Sequence, residues 1–183
     1  MIKRFTLLIL LFSHALYAQY SYEPSAENPF GKRNPNAHER LDDFGQFIGE
    51  YTCISEARNA NQEWLEPEEI IWKWKYIMNG NAVQDETLKP DGSHSGSIRV
   101  YDADSLTWRV HYYTNKATPS VLSAWSGGVE GQDIVLNKKQ VAPNGAPGFY
   151  RLTFSEISQE GFEWIGEWVN SEETIQFPTW KIS

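Results

Sequence analysis

Cysteine is almost missing from this chain. Cys53 is the only one in 183 residues, so no intrachain disulfide can form. It sits in GEYTCISEA, a strand-like stretch with no histidine beside it. No helix N-terminus is expected there either, so an inert buried thiol is expected rather than a nucleophile. Long apolar runs are missing too. The longest, from Phe5 to Phe12, falls well short of the about 20 residues needed to span a bilayer. No basic tract interrupts the acidic balance of −8, which argues against nucleic acid and anionic membrane surfaces as partners. There is no Asn-x-Ser/Thr sequon.

Familiar catalytic signatures are absent as well. The chain has no GxSxG elbow, Walker loop, Rossmann fingerprint, HExxH or CxxCH. His38, His94 and His111 show no paired spacing, so no metal is expected. No cofactor is implied. The acid pairs Asp42-Asp43 and Glu68-Glu69 read as surface runs, and no residue is assigned a catalytic role.

The N-terminus carries Lys3 and Arg4, then the short apolar run, then small residues at Ala15 and Ala18. That order predicts a secretory signal peptide over residues 1–18 and a secreted or periplasmic product. The rival reading is a buried N-terminal helix. Leu16 is bulky for its place before Ala18, which leaves a cut after Ala15 open. Cleavage after Ala18 removes two of the sixteen basic residues and no acid, taking the charge to −10. Residues 19–36, rich in Pro, Asn and Ser, read as a flexible or extended arm. Residues 37–183 read as one domain.

NAHERLDDFGQFIG places Leu41, Phe44 and Ile48 at helical spacing. Asn36 with Glu39 predicts a capping box, and Gly49 a stop. After Gly49 the period changes to two. Ile70, Trp72, Trp74, Tyr76 and Met78 alternate with Lys73 and Lys75, then meet Asn79-Gly80, a strong hairpin signal. Leu106, Trp108, Val110 and Tyr112 hold a second apolar phase. Further strand-like segments follow at short intervals, and Pro178 predicts an edge or a bulge in the last one. Eight to ten short strands without a long helix predict an all-β fold. The expected form is a closed antiparallel up-and-down barrel with a short N-terminal plug helix. A β-sandwich is the rival, but it gives no reason for the helix.

Three motifs carry a resemblance: LDDFGQFIGEY, SGSIRVYDADSLTWRVHYY and RLTFSEISQEGFEWIGEWV. From about Leu41 to Lys181 the chain resembles the uncharacterised lipocalin-like family called domain of unknown function 1579. That family is similar to the calycin barrels, and the resemblance implies a barrel able to enclose a small apolar molecule. Such domains commonly carry Trp where this chain has Tyr51.

The chain holds eight Trp, nine Tyr and nine Phe, more than a modest core requires. They are core, or they partly line a cavity. Trp72, Trp74, Tyr76, Trp108, Tyr112, Trp125, Trp164 and Trp168 are the aromatic candidates for ligand contact. Arg99 and His111 are the polar ones, although His111 and Arg109 fall outside the apolar phase. The leading reading is an exported binder of a small apolar or amphipathic molecule. A barrel enzyme, isomerase or hydrolase, using His111 with a nearby Glu or Arg is the second. A filled structural or interaction module is the third. Oligomeric state is left open.

Overall fold

The computed structural model describes residues 20–183, so the expected signal peptide lies outside it. Alternation of large apolar and polar side chains gives ten antiparallel strands. They are β1 (Gly49–Ala57), β2 (Glu68–Ile77), β3 (Ala82–Leu88), β4 (His94–Asp102) and β5 (Thr107–Thr114). β6 (Ser123–Glu130), β7 (Asp133–Lys139), β8 (Gly148–Ser155), β9 (Glu163–Asn170) and β10 (Gln176–Ile182) complete the set. Each strand pairs with its neighbours in sequence, and β1 closes onto β10 through Ser55–Ile182, Glu56–Lys181 and Ala57–Trp180. The result is the closed up-and-down barrel that the pattern predicts, with no free sheet edge.

Register decides which side chains enter. Trp72 lies opposite Thr87, Trp74 opposite Asp85 and Tyr76 opposite Val83. Cross-strand partners share a face, so these six all point inward. On β4 the inward set continues as Ser95, Ser97 and Arg99, opposite Thr87, Asp85 and Val83. The turn after β2 contains Asn79-Gly80 as expected, but it is four residues long. Met78, Asn79 and Gly80 all have positive φ, at 54°, 51° and 76°. Met78 therefore leaves the inward row and is 58 % exposed. Leu106 likewise turns out at φ 51° and is exposed. Pro178 marks a bulge rather than an edge, because β10 pairs on both sides.

The plug is shorter than the sequence predicts. Only Leu41–Gly45 is helical (α1), Arg40 stands at its start, and no side chain caps it. Asn36 instead sits in a turn, its N–H donating to Asn34 Oδ1 at 2.9 Å. A single turn cannot hold itself in water. Packing of Leu41, Phe44 and Phe47 across one end of the barrel stabilises it, and all three are buried. Ile48 is only half-buried. Phe44 meets Trp108 edge-on with centroids 4.8 Å apart and stacks on Trp74 at 6.1 Å. Phe47 meets Trp74 at 5.1 Å and Phe162 at 4.5 Å. Burying one such ring contributes about 1.5–3 kcal/mol.

Residues 20–36 form no helix or strand. Backbone bonds tie them to the β2–β3 hairpin: Tyr76 N–H donates to Phe30 O at 2.8 Å and Asn34 N–H to Gly80 O at 3.0 Å. Gly80 is required there for space as well as for φ. A Cβ would lie 2.5 Å from Asn34 N.

Candidate functional site

The plug fills one end of the barrel. On all strands but β1 and β7, inward residues farther from α1 line a cavity of about 230 Å³. Trp72, Tyr112, Trp125, Tyr150, Trp164 and Trp180 form most of its wall, with Leu152 and Ile182. Asp85, Thr87, Ser95, Ser97 and Arg99 form one polar side. That side comes from β3 and β4, whose inward rows turn polar beyond Val83.

Gly166 shapes the opposite side. It faces inward opposite Leu152. A Cβ there would lie 2.6 Å from the Tyr150 hydroxyl and 2.9 Å from the Trp164 ring. Its absence lets those two rings close in on each other. The Tyr150 hydroxyl bonds Thr179 Oγ1 at 2.6 Å, and burial raises its pKa, so it stays neutral. Trp180 Nε1 donates to Ser55 Oγ at 2.9 Å, and Thr87 and Ser95 share a hydroxyl–hydroxyl bond at 2.7 Å.

A buried ion pair separates cavity from plug. Arg99 Nη1 donates to Asp85 Oδ1, and the two residues are only 2 % and 3 % exposed. Asp85 Oδ2 also accepts from Trp72 Nε1 at 2.8 Å. The guanidinium carbon lies 4.4 Å from the Trp74 ring centroid, 5.0 Å from Phe44 and 5.9 Å from Phe154. Arg99 thus rests in an aromatic cage on the plug side and spends its charge on Asp85.

Of the residues singled out from sequence, Trp72, Arg99, Tyr112, Trp125 and Trp164 meet at the cavity. Trp74 and Trp108 face inward but belong to the plug, where Trp108 Nε1 donates to Asp43 Oδ2 at 3.0 Å. Tyr76 is buried beside α1, its hydroxyl against Gly45. Trp168 lies at the barrel's end, where its Nε1 donates to Gln140 O at 3.1 Å. His111 is exposed on the outer face, between Ile98 and Ala124 on the neighbouring strands. Arg109 is also outside, paired with Asp102 at 3.4 Å. Neither can reach a molecule in the cavity.

The sequence reading missed Asp85, Tyr150 and Trp180. Asp85 was within reach, because counting by two back from the Asn79-Gly80 hairpin places it opposite Trp74. Tyr150 was too, since Leu152 and Phe154 continue its phase. Trp180 was not, because the irregularity between Pro178 and Trp180 breaks the alternation.

A second hollow of about 370 Å³ lies outside the plug, between Arg40, Asp43, Tyr101 and Val129. Its Asp43 is already engaged by Arg40 and by Trp108. Cys53 faces inward and is buried, and burial pushes its thiol up to about 11. Among the described residues no His, Cys, Asp or Glu cluster could hold a metal, and no helix is long and apolar enough to cross a membrane. A scan against protein-family models finds no match to the chain, and a search of the curated proteins finds none either.

Proposed function

We propose that this protein is an exported binder of one small apolar or amphipathic molecule, held in the aromatic end of the barrel. The observation that carries the reading is a cavity of about 230 Å³ in a barrel whose other end is filled by rings. An unbound core of this composition would pack shut, as the plug does. The resemblance read from LDDFGQFIGEY and its companion motifs agrees with this reading, and the leader expected over residues 1–18 agrees with export.

Size narrows the ligand. A dry cavity of about 150 Å³ takes one benzene, and pockets for drug-sized ligands run to about 300–1,000 Å³. A one- or two-ring molecule, or a short branched chain, fits. Haem, a retinoid or a long fatty acid is too large to be enclosed. Four tryptophans line the space, so binding reports itself by fluorescence. Titration with naphthalene should give saturable quenching that is lost in Gly166→Leu, whose side chain would push the Tyr150 and Trp164 rings of the wall out of place. Linear, non-saturating quenching by naphthalene, unchanged in Gly166→Leu, would remove the proposal.

A further inference from the structure

The polar wall indicates which two-ring molecules the cavity prefers, an inference that rests on the binding reading above. We infer that the site selects neutral ligands bearing a hydrogen-bond acceptor, such as aryl ketones or amides, over the matching carboxylates.

Two features carry this. First, the charges in the lining cancel. Arg99 is bonded to Asp85, and both oxygens of Asp85 are engaged, one by Arg99 and one by Trp72 Nε1. A carboxylate entering here would lose its water and gain no free cation, while lying beside the Asp85 charge. Second, the lining offers O–H donors that are not engaged. The hydroxyls of Ser97 and Tyr112 bond no other described residue and both residues line the cavity, whereas Trp125 Nε1 and Arg99 Nε, also unpartnered, are packed out of its reach. A ligand that offers these hydroxyls an oxygen gains what a hydrocarbon cannot. The other hydroxyls of the lining are engaged, Thr87 with Ser95 and Tyr150 with Thr179.

The group that competes with this conclusion is Lys138. It sits opposite Tyr150 on the inner face, and its ammonium lies 4.3 Å from the Trp125 ring centroid. It occupies the face of that ring and is not part of the cavity wall. If it nevertheless captured anions, a carboxylate would bind best.

Isothermal titration of the full-length exported protein with 2-acetylnaphthalene, 2-ethylnaphthalene and 2-naphthoate separates these cases. The ketone should bind about tenfold tighter than the hydrocarbon and at least tenfold tighter than the carboxylate. Tyr112→Phe keeps a ring and removes the O–H, so the ratio of ketone to hydrocarbon should fall several-fold. Asp85→Asn leaves the Arg99 charge unspent and should raise affinity for 2-naphthoate at least tenfold. If Asp85→Asn does not fold, the Tyr112→Phe ratio alone still decides. Equal binding of all three probes overturns this inference and leaves the binding reading standing. Tightest binding by 2-naphthoate, or an unchanged ratio in Tyr112→Phe, also overturns it. No binding of any probe overturns both.

Discussion

Replacing Arg99 by methionine tests the element on which the site is built. The substitution keeps an unbranched chain against Trp74 and Phe44 and removes the charge. Asp85, 3 % exposed, is then left without its cation, with only the Trp72 N–H bonded to it. Breaking a buried pair from one side costs about 3–5 kcal/mol. That is about a fifth or more of the total stability of a typical domain, about 5–15 kcal/mol. With a urea slope of about 2 kcal/mol per M, the midpoint should drop by roughly 2 M. Urea unfolding followed by tryptophan fluorescence at neutral pH reads this directly. The double variant Arg99→Met/Asp85→Asn removes the stranded charge and keeps an acceptor for Trp72 Nε1, so it should recover about 2 kcal/mol or more. A loss below about 1 kcal/mol in Arg99→Met, the range of an exposed pair, would refute the account of a buried, charge-balanced floor.

Two further outcomes follow from the packing. Phe44→Ala empties the centre of the plug, where the ring touches Trp74, Trp108 and Phe154, and should cost about 3–5 kcal/mol in the same unfolding experiment. A cost below about 1 kcal/mol would mean that α1 is not structural. Cys53, with its thiol pushed up to about 11 from 9.0, should react with a disulfide reagent at pH 8 at least a hundredfold more slowly in the native than in the urea-unfolded protein. The linked stability has a definite sign. It is fully present below pH 9 and is lost as the pH rises toward about 11, because the unfolded thiol releases its proton first. Cys53→Ala should flatten the decline in stability across that window, and an equally steep decline would contradict the burial.

Much of the architecture was legible from short-range pattern. Alternation with period two follows from the pleat, so Trp72 and Trp74 had to share a face wherever the strand went. Asn79-Gly80 announced the hairpin because those residues tolerate positive φ, although Met78 joined them in the turn and left the inner row. The capping box at Asn36 misled because a local bond from Asn34 competed with it, and helix start signals carry little weight in a single turn held by tertiary contacts.

By itself, then, the sequence determined strand identity and the inward phase of most strands, and it favoured a closed sheet over a sandwich. Depth along the barrel axis was decided only by the tertiary structure. Trp72 and Trp74 look alike in sequence, yet one lines the cavity and the other supports the plug. The difference is set by how far α1 reaches into one end and by the register that brings β3, β4, β8 and β10 alongside. The same holds for Asp85 and Arg99, fourteen residues apart, whose pairing depends on the β3–β4 register that sets Asp85 opposite Ser97 and so diagonal to Arg99. Periodicity tells a side chain which way to face. Only closure of the barrel tells it whom it meets.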